Sequence, residues 1–305
     1  MSAVEQVRER IGELADSAWM LAAVATLLQN PEAELTEEHG AVLGQAGLAQ
    51  RAGNGNWVPI DGLAALLADP AAAGALNLIG NLRQMVVAAS GTTGWANQDD
   101  ATLRAQGDAS QASALPFLSR IVPQVEGLDA LLREPGAMLL DVGTGTGGIA
   151  VGLCDAIPTL RVVGIDVLPN ALDMAKDRVV AAMVADRVEL RRQDVAELTD
   201  RARFDVAWCP VVFVPQAAVR AALPRLREAL KPGGVMIFGI VGYYGATRTD
   251  TITAWRVVSN GGTPWTSAEM AAAATSAGFA GVRELPALPG TAAFLVARRP
   301  DVADT

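Results

Sequence analysis

The chain has 305 residues, of which 51% are hydrophobic and 19% charged, so it can bury a sizeable core and is not a disordered chain. Its 24 basic and 33 acidic residues give a formal net charge of −9, which disfavours binding to nucleic acids or anionic membranes. One histidine and two cysteines exclude a multi-histidine metal site and a disulfide framework. The composition therefore predicts a soluble globular protein of about two domains.

The sequence shows no evident targeting segment. Its most apolar early stretch, residues 17–28, is too short to span a bilayer. This stretch follows both acidic and basic residues, whereas a signal peptide begins with a purely basic leader. We therefore expect a cytoplasmic protein without a membrane partner.

Charge divides the chain into two parts. Residues 1–70 carry three arginines against ten acidic residues, a net of −7, and residues 71–140 carry a net of −2. The remainder is neutral, with 17 residues of each sign. We therefore predict an acidic front domain over residues 1–134 and a charge-balanced back domain over residues 135–305.

The front part is predicted to be mainly helical. Apolar residues recur at steps of three and four between Val4 and Leu28, and Pro31 ends the run. This narrow apolar face either packs inside its own domain or forms a dimer interface. A helix over 37–46, a turn over 53–56 and a helix over 61–68 capped by Asp61 suggest a winged-helix-like unit.

The winged unit has few positive charges for binding DNA, since only Arg51 lies near its turn. A scaffold or dimerisation role is therefore favoured over nucleic-acid binding. His39, which lies beside two glutamates, is expected at the surface. Further helices are predicted over 71–90, 109–122 and 125–133.

The back part alternates apolar strands with helices of ten residues or so, which indicates βαβ units and a parallel sheet. Strands are predicted over 137–140, 161–165, 188–190, 204–208 and 235–241. Thr266 and Glu269 form a capping box for a late helix that Gly278 ends. Two closing strands over 282–285 and 292–297 share a short connection, so at least one of them runs antiparallel.

The first predicted strand of the sheet runs directly into a glycine-rich loop and then a helix, an arrangement that lets the backbone approach a ligand closely. By itself the loop is ambiguous. Gly143, Gly145 and Gly148 fit the dinucleotide pattern G-x-G-x-x-G, whereas Gly143, Gly145 and Gly147 fit G-x-G-x-G.

Three acidic residues, each one βα unit from the next, resolve this ambiguity. Asp141 precedes the loop, where a carboxylate suits a cationic ligand better than a pyrophosphate. Asp166 ends the second strand and could accept two ribose hydroxyls, and Asp194 follows the third strand, where it could accept from an adenine amine. The set fits a ligand that has an amino-acid end, a ribose and an adenine.

The sequence around these acids resembles the class I S-adenosylmethionine-dependent methyltransferases. The resemblance extends over residues 135–299 and is carried by residues 141–147, Asp166, Gln193 with Asp194, the strand 204–208 and residues 230–234. It implies an α/β fold, a Rossmann-like seven-stranded sheet with a reversed last strand, here preceded by a mainly helical domain. The front part resembles, less specifically, the dimerisation domain of small-molecule O-methyltransferases.

The resemblance implies S-adenosyl-L-methionine as the cofactor. Gly143, Gly145 and Gly147 would then hold its methionine end, Asp166 its ribose and Asp194 its adenine. The full set of expected cofactor residues is Asp141, Gly143, Thr144, Gly145, Gly147, Asp166, Val167, Gln193, Asp194, Val195 and Cys209.

Phenol O-methyltransferases of this kind use a histidine shortly after the fourth strand, and residues 209–214 contain none here. Magnesium-dependent chemistry is not supported either, because no further acid cluster is present, so no metal is expected. The acceptor is then a carboxylate that needs no base, or a hydroxyl or amine helped by a local group. Candidate catalytic residues are Tyr243, Tyr244 and Cys209.

The substrate site is expected to include Trp95, Arg104, Tyr243 and Tyr244. Trp95, with Gln98, Arg104 and Gln106, lies in a polar stretch that could form a lid, and Arg104 could pair with an anionic acceptor. The favoured function is O-methylation of a small natural-product or peptide-derived molecule by a homodimer. N-methylation is the first alternative, followed by a non-catalytic cofactor-binding regulator and an NAD-dependent oxidoreductase.

Overall fold

The computed structural model describes residues 2–69, 76–240, 247–286 and 293–301. The chain divides into two compact units, residues 1–82 and residues 83–305.

The first unit contains helices and a small hairpin. Its elements are α1 (Ala3–Gln29), α2 (Glu37–Gln45), β1 (Ala49–Arg51), β2 (Trp57–Pro59) and α3 (Asp61–Leu67), and the unit boundary falls within α4 (Leu78–Ala89). The two strands pair antiparallel, with Gln50 opposite Val58. Trp57 lies against α2, where a Cβ added at Gly40 would be 2.1 Å from the Trp57 ring. The predicted order of helix, hairpin and helix is therefore present.

Helix α1 begins with a capping box, in which Ser2 accepts from the Glu5 amide and its own amide donates to the Glu5 carboxylate. Only the far end of the helix is buried, where Leu27 packs with Leu43 and Leu63 of α2 and α3. The apolar face of the first half is open, with Val4 68% and Ile11 60% exposed. In the described structure, the apolar face of the first half of α1 therefore does not pack inside its own domain.

Helix α1 is also, by length and composition alone, the one helix of the described residues that could cross a membrane. A single such helix near the start of a chain is weak evidence for a span. His39 on α2 is half-buried rather than on the surface as expected, since its Nε2 lies 2.9 Å from the Ala23 carbonyl oxygen of α1.

The second unit is built on a seven-stranded sheet with the order β5-β4-β3-β6-β7-β9-β8. The strands are β3 (Met138–Val142), β4 (Arg161–Asp166), β5 (Val188–Arg192), β6 (Phe204–Pro210), β7 (Leu230–Ile240), β8 (Ala280–Glu284) and β9 (Ala293–Arg298). The first five pair parallel, and β9 pairs antiparallel with both β7 and β8. The predicted Rossmann-like sheet with a reversed last strand is confirmed.

Helices cover both faces of the sheet, which explains why its central strands are almost continuously apolar. The helices are α5 (Asp100–Ala112), α6 (Leu128–Arg133), α7 (Gly148–Ala156), α8 (Pro169–Ala181), α9 (Gln216–Ala229), α10 (Arg248–Ser259) and α11 (Ser267–Ser276). One core contains apolar residues of α6, α7 and α8, and the other contains those of α9 and α11.

The compact units divide at residue 82, whereas the charge pattern places the domain boundary at residue 134. The physical reason is that Ala114, Phe117 and Leu128 belong to the core on one face of the sheet. Charge follows the solvent-exposed surface and does not report this apolar packing. A functional division into residues 1–134 and 135–305 remains a prediction.

Two helix starts also differ from the prediction. Helix α5 begins at Asp100 and not at residue 109, because the Asp99 side chain caps it by accepting from the Thr102 amide at 2.7 Å. Helix α3 begins at Asp61 itself, with Ile60 as its N-cap and no side-chain cap.

Candidate active site

The glycine-rich loop connects β3 to α7 at the carboxyl edge of the sheet. The Gly143 and Thr144 amides donate to the Ile165 carbonyl of β4, at 2.9 and 3.0 Å, so the loop is tied to the neighbouring strand. Gly145 has a φ of +57°, a left-handed conformation that a side chain would strain. The loop therefore needs its glycines for geometry, as the sequence pattern predicts.

Asp166 is the last residue of β4, and its carboxylate accepts hydrogen bonds from two separate segments of backbone. Its Oδ2 accepts from the Gly145 amide at 2.8 Å, and its Oδ1 accepts from the Leu168 amide at 2.9 Å. Burial raises the pKa of the carboxyl, while these amides act in the opposite direction. A carboxylate can accept about four hydrogen bonds, so both oxygens keep capacity for a ligand.

A cavity of about 440 Å³ lies beside the loop. The loop, Asp166 with Val167 and Leu168, and one face of α5 form its walls. The α5 face consists of Leu103, Gln106, Gly107 and Ser110, which recur at the spacing of one helical stripe.

The far wall comes from the end of β5. Gln193, Asp194 and Val195 all line the cavity, and the Asp194 carboxylate accepts from the Ala196 amide at 2.8 Å. Gln193 is fixed through its backbone amide, which donates to the Asp166 carbonyl at 2.9 Å. The structure thus brings together Gly143, Thr144, Gly145, Asp166 and this group, as the sequence analysis expects.

Two further expected residues lie beneath the loop and do not line the cavity. Asp141 is 1% exposed, and its Oδ2 accepts from the Thr144 hydroxyl at 2.6 Å. Burial raises the pKa of Asp141 to about 7. Asp141 therefore supports Thr144, which lines the cavity, without lining the cavity itself.

Cys209, at the end of β6, is 2% exposed, and burial together with the Asp141 charge raises the pKa of its thiol to about 12. A thiol in this state is neither a nucleophile nor a base at neutral pH. The geometry does not support the catalytic role considered for Cys209, nor direct contact with a ligand in the cavity. Gly147 precedes α7 and is also outside the cavity lining.

The rim of the cavity is aromatic. Trp95 and Phe213 meet edge to face, with ring centroids 5.3 Å apart. Asn260 also lines the rim, and its side-chain amide is held in a buried chain in which it donates to Gln84 at 2.9 Å and accepts from Gln98 at 3.3 Å. The Trp95 indole Nε1 is buried without a hydrogen-bond partner among the described residues, so it is a donor that a bound ligand could satisfy.

One other expected substrate residue, Arg104, is not found at the rim. Arg104 is exposed and is not part of the cavity lining, since it lies off the α5 stripe that faces the cavity. Tyr243 and Tyr244 lie outside the described residues. Their roles remain predictions.

Gln106, expected as part of a lid, does line the cavity, whereas Phe213, Asn260 and the rest of the α5 stripe were missed by the sequence analysis. Gly107, in the middle of a helix, was an available signal, because an isolated glycine inside a helix often has a packing or functional reason. The Asn260-Gly261-Gly262 turn was a second signal.

Asp166 and Asp194 are the ionisable residues in the described cavity lining. In the part of the chain that the structure describes, no group of three or more His, Cys, Asp or Glu side chains could hold a metal ion.

Comparison with known proteins agrees with this geometry. Residues 139–234 match the family described as "Methyltransferase domain". The chain contains a methyltransferase domain. The expected resemblance to class I S-adenosylmethionine-dependent methyltransferases, the enzyme class and the cofactor are thereby confirmed for this domain.

Among curated proteins, the release factor glutamine methyltransferase of Cereibacter sphaeroides is 40% identical over 117 residues, which is 37% of this chain and 42% of that protein. The matched segment thus spans about two fifths of that relative.

Solved structures match over nearly the whole chain. Human N-acetylserotonin methyltransferase in complex with S-adenosylmethionine has a TM-score of 0.70 at 13% identity, over 98% of this chain and all of that chain. Mitomycin 7-O-methyltransferase has a TM-score of 0.67 at 20% identity, over 97% and 99% of the two chains. At these identities the likeness establishes the fold alone.

Proposed function

We propose that the protein is an S-adenosylmethionine-dependent methyltransferase that methylates an oxygen atom of a small-molecule acceptor. The observation that carries the proposal is the single cavity bounded by the glycine loop, Asp166 and Asp194. These two carboxylates stand at the ends of neighbouring parallel strands, where open α/β sheets bind ligands.

The cavity fits the cofactor in its chemistry as well as its position. Asp166 would accept from the ribose hydroxyls, Asp194 from the adenine amine, and the glycine loop would hold the methionine end. Apolar Val167, Leu168 and Val195 would enclose the base. When bound, the cofactor supplies a sulfonium methyl group that is already electrophilic.

The protein's part in the reaction is then to bind, to orient and to exclude water. Trp95 and Phe213 present an apolar rim where an acceptor would lie, and Trp95 Nε1 offers one hydrogen-bond donor. Neither Asp166 nor Asp194 is free to act as a base if both bind the cofactor. A carboxylate acceptor, which is ionised at neutral pH, suits such a site best.

An oxygen acceptor is favoured by the likeness of the whole chain to solved small-molecule O-methyltransferases. N-methylation is the alternative, and the 40% identical segment of a glutamine methyltransferase favours it, since a glutamine side chain offers an amide nitrogen. Incubation with labelled cofactor and matched carboxylic acids, phenols, amines and amides, read by mass shift, separates the two. Methylation of amides or amines alone would reject the oxygen proposal.

Asp166 provides the direct test of cofactor binding. We expect D166A to weaken S-adenosylhomocysteine binding by about ten- to a hundredfold, because hydrogen bonds to a charged group contribute about 1.5–3 kcal/mol. Isothermal titration calorimetry measures the effect, and circular dichroism checks the fold. D166N keeps one acceptor oxygen and should lose less affinity.

The matched control is D173A, on α8, where the side chain is 71% exposed and pairs with Lys176. Its affinity should equal that of the wild type. Equal affinity in folded D166A would remove the ribose role, and binding of a nicotinamide dinucleotide in place of S-adenosylhomocysteine would reject the proposed function.

We also propose that the protein is a homodimer formed through α1. The support is the open apolar face of its first half, with Val4, Val7 and Ile11 each more than half exposed. A cytoplasmic location remains a prediction.

A further inference from the structure

Arg178 makes a contact set that neither the motif nor the cavity lining explains. It lies on α8, its side chain is 19% exposed, and all three branches of its guanidinium group are bound. Nε donates to the Thr146 carbonyl at 3.0 Å, Nη1 to Gln111 Oε1 at 2.8 Å and Nη2 to Asp108 Oδ1 at 2.7 Å.

These three partners belong to two different walls of the cofactor cavity. Thr146 is part of the glycine loop and lines the cavity. Asp108 and Gln111 lie on α5, interleaved with Gly107 and Ser110, which also line it. One side chain on a third element, α8, therefore connects the loop to the helix that faces it.

The surrounding packing leaves little tolerance for a shift. A Cβ added at Gly107 would lie 1.8 Å from Thr146 Oγ1 and 3.0 Å from Arg178 Nη2. The loop, α5 and the guanidinium group are thus in direct contact at one point.

We propose that Arg178 is a positioning residue for the cofactor, which fixes the separation of the glycine loop and α5 by bonding both at once. This rests on the proposed function, since it assumes that the cavity binds S-adenosylmethionine. Arg178 does not line the cavity and acts only through Thr146 and α5. Its planar fork is needed because a lysine ammonium is a single point charge that cannot match three fixed acceptors.

Arg187 is a matched control, because it binds main-chain carbonyls at the end of α7, whereas Arg178 binds the Thr146 carbonyl just before α7 begins. Arg187 Nη1 donates to the Cys154 and Ile157 carbonyls, at 2.7 and 3.4 Å, where α7 ends. It does not line the cavity. Of the two arginines, only Arg178 binds a main-chain carbonyl of a residue that lines the cavity, Thr146.

The experiment compares R178M, R178K and R187M by calorimetry with S-adenosylhomocysteine and by urea unfolding without ligand. We expect R178M to raise the Kd about tenfold, the factor that corresponds to 1.4 kcal/mol. R178K should unfold closer to the wild type but should recover only part of the affinity. R187M should unfold at lower urea with an unchanged Kd.

An unchanged Kd in folded R178M would overturn the inference, as would an equal rise in Kd for R187M. Both results differ from failure of the proposed function, in which the wild-type protein itself would not bind S-adenosylhomocysteine.

Discussion

The Asp141 carboxyl is an ionisable group kept in an apolar interior. Among the described residues its carboxylate accepts one side-chain hydrogen bond, from the Thr144 hydroxyl, and burial raises its pKa from 3.8 to about 7. An unfolded chain would ionise this group near pH 4. Between those two values the folded state holds one more proton than the unfolded state, so stability falls as pH rises from about 4 to about 7.

Replacing Asp141 with asparagine, which resembles the protonated acid, should remove this dependence. Relative to D141N, we expect the wild type to lose on the order of 2 kcal/mol of unfolding free energy between pH 5 and pH 8, at about 1.4 kcal/mol per pH unit until the folded pKa is reached. Urea unfolding across that range measures it. Asp166 also has a raised pKa and is unchanged in both proteins, so it cancels in the difference. Parallel curves for the two proteins would show that Asp141 is ionised when folded.

The residues that carry the cofactor hypothesis were predictable because each follows a strand whose end can be read from the apolar pattern. Asp166 and Asp194 are examples. Phe213 and Asn260 were not, because they reach the cavity from connections whose paths depend on tertiary packing.

At the scale of elements, α5 and α7 approach each other closely. A Cβ added at Gly148 would lie 2.0 Å from the Gly107 carbonyl oxygen, so the two helix backbones touch. This contact holds α5 in place as a wall of the cavity.

We expect G148A to destabilise the protein by about 1–3 kcal/mol, the usual range for overpacking, and to weaken S-adenosylhomocysteine binding. Gly12, in the exposed half of α1, has nothing within 4 Å of an added Cβ, so G12A is the control. It should stabilise by about 0.5–1 kcal/mol, as alanine does in a helix interior. Urea midpoints and calorimetric Kd values check both. A G148A variant with wild-type stability would show that α5 moves away without cost.

The strands of the back domain, and their alternation with helices along the chain, were predictable from the sequence pattern. The start of α5 was not. Its cap, Asp99, is followed by a polar turn that lacks a helical apolar period. The buried residues of α5 are mostly small or polar, namely Thr102, Gly107 and Ala109 beside Leu103, which is why pattern reasoning placed its start nine residues late.

For the whole molecule, the open face of α1 bears on assembly. Replacing both Val7 and Ile11 with glutamate should convert a dimer to a monomer, because burying two charges without partners is strongly unfavourable. Q6E with S17E adds the same charge on exposed positions off the apolar face and should remain dimeric. Sedimentation velocity distinguishes the states. A wild-type protein that is monomeric at every concentration would reject dimerisation through α1.

The acidic excess of the chain lies in its front part. Of the net charge of −9, −7 belongs to residues 1–70, whereas the acidic residues and the glycine loop proposed to hold the cofactor begin at Asp141. The change in charge along the chain thus indicated two parts of different composition, but it did not give the boundary between the compact units.

The ionisable groups of the cavity lining bear on chemical reactivity. Its two carboxylates are both assigned to the cofactor, so the acceptor's own acidity should govern how fast it reacts. Across a series of acceptors of equal shape, the logarithm of the rate constant should then follow the acceptor pKa along a Brønsted line. The pH profile of the reaction rate should shift with each acceptor and should not reflect the titration of a fixed group on the enzyme. An enzyme of this kind can acquire new acceptors by reshaping its rim alone, because no base among the described lining residues has to be repositioned for each of them.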